Sequence, residues 1–216
     1  GPIWWAAVHR EHHAFADTER DWHAPKRGWL HSYMGWLSTL RTLLVGHDRV
    51  RDLTRFPEIN WLETWYHVPT LVLIAVLAGL GSVLEAVYPA AGTSAAQLVV
   101  WGVLIRITVV WHFTFAVNLF RHSRGTRRFD TPDDSTNGGL MFSLLTFGDG
   151  YHNNHHCHPS SARTDFFEGE FDLTYWVIRQ LERCGLIWDV KISSPAHGTE
   201  SKDTSPAHPL ALGGSH

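Results

Sequence analysis

The sequence has 216 residues, a formal net charge of -3, sixteen histidines and eleven tryptophans. This length permits one domain, and the near-neutral charge without a basic stripe excludes a nucleic-acid-binding protein. Cys157 and Cys184 are too few for a disulfide framework. Because histidine is the commonest ligand for transition metals and tryptophan concentrates where a membrane meets water, the composition favours a metal protein at a bilayer.

The first motif in the chain is HREHH, which places His9, His12 and His13 at positions i, i+3 and i+4. Residues with this spacing share one face of a helix, so the three imidazoles can point at a common centre. Glu11 follows His9 by two positions rather than one, so the zinc-hydrolase pattern H-E-x-x-H is excluded. The motif predicts a metal-binding helical face rather than a zinc protease.

Two apolar segments follow, at residues 68–84 and 95–120. The first has seventeen residues without a charge, whereas the second carries Arg106 and His112. A buried core helix is the alternative for the second segment, because a central arginine is costly in lipid.

The distribution of basic residues favours two membrane spans. Eight Lys and Arg residues precede position 68, nine follow position 120, and the connector 85–94 contains none. By the positive-inside rule, this asymmetry predicts a transmembrane helical hairpin with both ends, and both histidine clusters, on the cytoplasmic side.

The second histidine cluster lies in GDGYHNNHHCHP, where His152, His155 and His156 repeat the spacing of HREHH. Two such faces opposed to each other supply six imidazoles. One ion rarely takes six histidines, whereas two ions with open positions can share them, and nitrogen ligands suit iron. The pair of motifs predicts a di-iron centre, with surface histidines or an adventitious metal site as the alternative for either cluster alone.

The predicted fold class is all-α, an integral membrane helical hairpin with a cytoplasmic helical cap that carries the histidine-rich di-iron site. One domain is expected over residues 1–192. Residues 193–216 are rich in Ser, Pro, Gly, Thr and Ala and have no Phe, Trp or Tyr, so a disordered tail is expected there.

The segments HREHH, NLFRH and TFGDGYHNNHH together resemble the motifs of the membrane fatty acid desaturases, in particular the bacterial relatives of the stearoyl-type delta-9 enzymes. Residues 17–37, 127–137 and 170–191 also resemble that family. The resemblance implies two iron ions, with Asn118 holding an iron through water. The implied iron ligands are His9, His12, His13, His122, His152, His155 and His156.

One family motif is missing from this chain. The first histidine box of the family, H-x-x-x-x-H, normally precedes the box that HREHH resembles, and no histidine pair has that spacing here. The resemblance therefore implies an N-terminally truncated domain that lacks two ligands and is inactive by itself.

The resemblance implies insertion of a cis double bond near C9 of a saturated acyl chain, using O2 and two electrons. Unactivated C–H bonds offer no acidic proton, so an oxidant made from O2 is required. The acyl chain must be held beside the iron in a narrow apolar channel. Residues expected to line it, with ordinary core packing as the alternative, are Trp29, Trp36, Trp111, Phe113 and Phe115.

The resemblance also bears on the partners. Relatives that use acyl-CoA carry Arg-Asp directly before HxxHH, where this chain has Ala7 and Val8, so a lipid-linked acyl chain is favoured and a thioester stays open. The chain has no H-P-G-G haem signature, which predicts a separate electron donor such as a ferredoxin. Membrane lipid is an expected partner.

Two other functions remain open. A histidine-rich membrane di-iron hydroxylase would use the same ligand types, and a non-enzymatic membrane metal-binding protein would need no O2. Sequence assigns no role to a further set of side chains, namely His23, His31, His47, His67, His112, His158 and Arg106.

Overall fold

The computed structural model describes residues 1–194, and this part of the chain is helical without any strand. The prediction of an all-α fold is therefore confirmed. The predicted tail at 193–216 lies, from residue 195 onward, outside the described residues. The α-helices are α1 (Pro2–Phe15), α2 (Trp29–Tyr33), α3 (Leu40–Leu43), α4 (Arg51–Thr54), α5 (Pro57–Thr64), α6 (Val68–Val87), α7 (Ala95–Val99), α8 (Arg106–Phe120), α9 (Gly139–Leu145), α10 (His152–Cys157) and α11 (Leu173–Arg183).

Shorter helical turns connect several of these helices. A π-helical segment, Val100–Ile105, joins α7 to α8, so that residues 95–120 form one continuous helix. Two isolated bridges pair Asn137 with Thr126 and with Tyr151. Single 3-10 turns lie at Pro25–Arg27, Gly35–Ser38, Asp48–Val50 and Pro89–Ala91.

The chain divides into two compact units. The first comprises Gly1–Glu11 and Leu43–His112, and the second comprises His12–Thr42 and the chain from Phe113 onward. The boundary falls within α1, between Glu11 and His12.

In the first unit, α6 and the helix over Ala95–Phe120 are long and apolar enough to span a membrane. Their ends follow from local sequence. Pro69 in the first turn of α6 has no N–H that would need a partner, and Ser94 and Gln97 form a reciprocal capping box at the start of α7. Gly81 is the single buried residue of α6. A core helix of a soluble protein would be mostly buried, so this exposure favours the membrane-spanning interpretation.

Arg106 lies inside the second apolar helix, directly after the π-helical segment. Its Nε donates a hydrogen bond to the carbonyl oxygen of Gly102 at 2.9 Å. A π-helical turn disturbs the regular hydrogen-bond ladder. One polar atom of this costly side chain is therefore satisfied within its own helix.

The first unit also fixes the polar residues of HREHH that are not histidines. Arg10 forms a two-pronged ion pair with Asp52, through Nη1 and Nη2 at 2.6 and 2.9 Å. Glu11 accepts a hydrogen bond from Nε of Arg49 at 2.6 Å. These contacts anchor α1 to the segment around Asp48–Val50 and α4, where Ile3, Ala7 and Val50 form a small buried cluster.

Helix α6 packs against the start of α7 at Gly81. A Cβ atom added there would lie 2.5 Å from Cα of Ala95, whereas a Cβ atom at Gly79 would meet nothing within 4 Å. The absence of a side chain at Gly81 allows the two backbones to approach.

We expect Gly81→Ala to lower the stability of the protein in detergent by about 1 to 3 kcal/mol, because one of the two helices must move to relieve the overlap. Gly79→Ala is the matched control and should be neutral or stabilising by up to about 1 kcal/mol, since alanine is the better helix former. Thermal unfolding followed by circular dichroism measures both. Equal effects of the two substitutions would contradict this packing.

Candidate metal centre

Four histidines from three distant segments of the second unit meet in one buried cluster: His12, His122, His152 and His156. The Nε2 atoms of His12 and His156 are 3.3 Å apart, and those of His152 and His156 are 3.2 Å apart. Nε2 of His122 lies 3.1 Å from Nε2 of His152. We call these four residues the histidine cluster.

The local structure explains why these rings converge. His12 belongs to α1, His122 follows the last residue of α8, and α10 begins at His152. Because His152 and His156 are four residues apart on a helix, both rings lie on one face of α10, as the spacing predicts.

A second pair of histidines lies in the same unit. Nε2 of His13 is 2.9 Å from Nε2 of His155, and the ring of His13 stacks on that of His156 with centroids 4.2 Å apart. Both side chains are half-buried rather than fully buried. Five of the seven histidines predicted as ligands and His122 with its neighbour His152 are thus accounted for within six rings of the second unit, whereas His9 belongs to the first unit.

Three buried aspartates set the orientation of the cluster. Asp21 Oδ1 lies 2.9 Å from Nδ1 of His12, and Asp17 Oδ2 lies 2.7 Å from Nδ1 of His122. Asp133 Oδ2 lies 2.9 Å from Nδ1 of His156. An ionised carboxylate can only accept a hydrogen bond, so each Nδ1 carries the hydrogen.

The ionised state of Asp133 follows from its surroundings. Burial by itself would raise its pKa, but the hydrogen bonds from His156 and Ser135 lower it more, so the pKa of Asp133 lies well below its usual range. At neutral pH this carboxylate therefore holds a negative charge against the histidine ring.

This arrangement fits a bound metal ion. A neutral ring with its hydrogen on Nδ1 has a bare lone pair on Nε2, and two such lone pairs repel at the 3.3 Å between His12 and His156. A cation between the rings removes that repulsion. Two nitrogens about 2.1 Å from one ion, at bond angles of about 90 to 109°, lie about 3.0 to 3.4 Å apart. The spacings of the cluster fall in that interval, so its residues suit a metal with imidazole ligands.

An amide network holds α10 in place. Oδ1 of Asn137 accepts hydrogen bonds from the backbone N–H groups of Asn153 and Asn154, at 2.9 and 3.3 Å. Oδ1 of Asn153 accepts from the backbone N–H groups of Arg128 and Phe129, both at 2.8 Å. The two asparagines of HNNHH thus fix the helix to its surroundings, which leaves the histidine face turned towards the cluster.

Comparison with known proteins identifies the family. A family model for "Fatty acid desaturase" matches residues 1–166. The chain belongs to the fatty acid desaturase family. The resemblance that HREHH, NLFRH and TFGDGYHNNHH carry is therefore confirmed.

Several curated desaturases are similar along most of the chain. Icosanoyl-CoA 5-desaturase of Limnanthes douglasii is 35% identical over 209 residues, which cover 94% of this chain and 54% of the relative. A chloroplastic palmitoyl-monogalactosyldiacylglycerol delta-7 desaturase of Arabidopsis thaliana is 35% identical, with 94% and 52% covered. The sn-2 palmitoyl-lipid 9-desaturase of Nostoc sp. (strain 36) is 34% identical, with 92% and 66% covered. The chain thus spans about half the length of the first two relatives.

The three aspartates of this desaturase chain were missed by the sequence interpretation. They lie in two segments whose resemblance to desaturases was noted, residues 17–37 and 127–137, but an aspartate in a polar loop gives no signal of its own. The spacing Asp17-x-x-x-Asp21 directly after HREHH was the available hint, because histidine ligands commonly donate their second ring hydrogen to a carboxylate.

The residues predicted to line an acyl channel in the desaturase have different surroundings. Trp36 and Phe115 are buried, and the ring of Phe115 packs edge-on against Tyr33 at 5.7 Å. Phe113 is half-buried, whereas Trp29 and Trp111 are exposed. Asn118 lies in α8, one turn before His122. The roles of these six residues stay predictions.

His23, which sequence left unassigned, lies beside the cluster. Its ring stacks on that of His12 with centroids 4.2 Å apart, and its Nδ1 is buried with no hydrogen-bond partner among the described residues. Burial lowers the pKa of His23 to about 4, against the opposing charge of Asp21. His23 is therefore neutral at physiological pH.

Other rings of the cluster shift in both directions. Burial lowers the pKa of His152 well below its usual value, and it lowers that of His156 despite Asp133. Burial also lowers the pKa of His122, but the hydrogen bond and charge of Asp17 raise it more, so the net shift is upward.

We expect the metal-free desaturase to lose stability as the pH falls from about 6.5 to about 4, in part because His23 takes up a proton more readily when unfolded. The contribution of His23 is complete above the unfolded pKa and is lost as the pH falls through the folded one. His23→Leu should remove up to about 3 kcal/mol of this pH dependence. Thermal unfolding at pH 7.5 and pH 4.5 measures the slope. His47→Leu, at an exposed histidine, is the control, and equal slopes in both variants would contradict the assignment.

Proposed function

We propose that the protein containing this chain is a membrane acyl desaturase that inserts a cis double bond into a saturated acyl chain at a di-iron centre. The observation that carries the proposal is the convergence of four buried imidazoles, with their Nε2 atoms 3.1 to 3.3 Å apart, in a chain of the desaturase family. The reaction removes one hydrogen from each of two neighbouring methylenes, while O2, two electrons and two protons become two waters.

Two irons are proposed because the histidines fall into two groups. His12, His122, His152 and His156 form the buried cluster, while His13 and His155 form a half-buried pair beside it. His9 and Asn118 are proposed as further contributors, Asn118 through water. Iron held by these nitrogens would supply the oxidising power, drawn from O2, that C–H cleavage needs.

The chain's own residues have a separate task. The carboxylates of Asp17, Asp21 and Asp133 keep three rings aligned, and the buried position of the cluster limits the access of water. We assign Trp36, Phe113 and Phe115, together with Trp29 and Trp111, to the binding of the apolar acyl chain. An extended apolar substrate needs such a lining to be held in register with the oxidant.

The position of the double bond is proposed to be near C9. The resemblance to stearoyl-type enzymes supports this position, and so do similar proteins named as an sn-2 palmitoyl-lipid 9-desaturase and an sn-1 stearoyl-lipid 9-desaturase, the latter from Anabaena variabilis. Other similar proteins are named as 5- and delta-7 desaturases, so product analysis must decide.

The location proposed for the histidine clusters is the cytoplasmic side of a membrane. Eight Lys and Arg residues precede the first apolar helix and nine follow the second, while the connector 85–94 has none. The positive-inside rule then places both ends of the hairpin in the cytoplasm. A separate electron donor such as a ferredoxin would reach the site from that side.

In a host without its own desaturase, we expect the full-length protein to convert saturated acyl chains to monoenes with a double bond at C9, in a reaction that requires O2. His156→Ala should lower both the bound iron and the product yield, by about 100-fold for product, because a ligand and its carboxylate contact are lost. His47→Ala, at an exposed histidine, should leave both unchanged. An alcohol as the product would instead identify a hydroxylase, and bound metal without any O2-dependent product would identify a metal-binding protein.

The acyl carrier is proposed to be a glycerolipid, since Ala7 and Val8 stand where acyl-CoA enzymes of the resembling family carry Arg-Asp. Labelled stearoyl-CoA and labelled stearoyl glycerolipid, supplied separately to membranes that contain the full-length protein, distinguish the two carriers. We expect the label to enter monoenes from the glycerolipid. Conversion of the CoA ester alone would overturn this assignment.

A further inference from the structure

We propose that Asp17, Asp21 and Asp133 are positioning residues of the metal centre, which determine how tightly the histidine cluster binds metal and what ligand field the metal experiences. Each carboxylate fixes one imidazole in the form whose Nε2 lone pair faces the cluster. This inference rests on the proposed function, because it concerns the same site.

Each aspartate is itself fixed by the backbone. Oδ2 of Asp21 accepts a hydrogen bond from the backbone N–H of Asp17 at 2.9 Å, while its Oδ1 also accepts from the N–H of His23 at 3.2 Å. Oδ2 of Asp17 accepts from the N–H of Asp134 at 2.8 Å. A carboxylate held on both sides cannot swing away from its ring, so the order of the loop is passed on to the ligand.

Asp133 is fixed in the same way in a different loop. Its Oδ1 accepts hydrogen bonds from the hydroxyl of Thr131 and from the N–H of Ser135, at 2.9 and 3.0 Å. Arg127 clamps the loop from outside, because its guanidinium donates to the carbonyl oxygens of Thr131 and Asp133 at 2.9 and 2.6 Å. The contact of Asp133 with His156 is thus a property of a braced turn.

The backbone at Asp17 adopts a conformation that few residues tolerate. Its φ is +61°, in the left-handed region, where Asn and Asp are the commonest residues after Gly. Such conformations cluster at functional sites, where the surrounding structure enforces them. Glycine would suit this backbone better but has no carboxylate, so the presence of aspartate points to the contact with His122.

The charges support the same role. Three carboxylates next to largely neutral imidazoles bring negative charge into a buried region, which is costly unless a positive charge lies nearby. A metal cation at the Nε2 side supplies that charge, and the carboxylates in turn make the rings better electron donors.

His152 provides an internal contrast. Its Nδ1 is buried and has no hydrogen-bond partner among residues 1–194. No carboxylate therefore fixes this ring, and the positioning role applies to three of the four rings of the cluster.

The test compares three substitutions with one matched control. Asp17→Asn, Asp21→Asn and Asp133→Asn each remove a charge and keep the shape, and asparagine tolerates the left-handed backbone at position 17. Asp172→Asn is the control, because Asp172 is equally buried but accepts from Thr164 and from the N–H of Tyr175 instead of from a histidine.

The measurement is a titration of each purified full-length protein in detergent with Co²⁺, a spectroscopic substitute for iron, followed by its visible absorption. We expect each of the three variants to bind about 10- to 100-fold more weakly than wild type and to show a shifted absorption spectrum, whereas Asp172→Asn binds and absorbs as wild type does. Thermal unfolding of the metal-free proteins separates this effect from loss of the fold.

The outcomes are distinguishable. Wild-type affinity and spectrum in all three variants would overturn the positioning role and leave the desaturase proposal intact. Equal weakening in Asp172→Asn, in step with a lower unfolding temperature, would show a merely structural role and also overturn it. A wild-type protein that binds no Co²⁺ and no iron would overturn both proposals.

Discussion

The structure depends on the contact between an imidazole Nδ1 hydrogen and a buried carboxylate, made three times around one cluster. Asp17, Asp21 and Asp133 come from two loops, and the rings that they hold come from α1, from the end of α8 and from α10. With the hydrogens fixed on Nδ1, the Nε2 lone pairs are forced towards one another. The fold thereby concentrates electron pairs at a point that only a cation can satisfy.

Sequence predicted the parts of this arrangement that depend on periodicity. The i, i+3, i+4 spacing of HREHH and HNNHH placed the rings on helical faces, and the length and apolarity of residues 68–84 and 95–120 indicated the two long helices. The first helix continues to Val87, three residues beyond the predicted segment, because helical geometry persists past the last strongly apolar residue.

Sequence could not predict the parts that depend on tertiary contacts. An aspartate in a polar loop has the same signal whether it faces water or a histidine, so Asp17, Asp21 and Asp133 became visible only in the folded chain. The same holds for Asn137, which caps α10 from a distant segment. His122 is an intermediate case, because its place in the cluster was implied by the family resemblance and not by its own spacing.

Helix α10 has only six residues, and an isolated helix of that length is not stable in water. Its two turns exist because Asn137 and the loop around Phe129 hold them. In a newly made chain, HNNHH is therefore an irregular peptide that has no chelating face. Capture of metal must then follow the docking of this segment, so the order of maturation is tertiary assembly first and iron loading second.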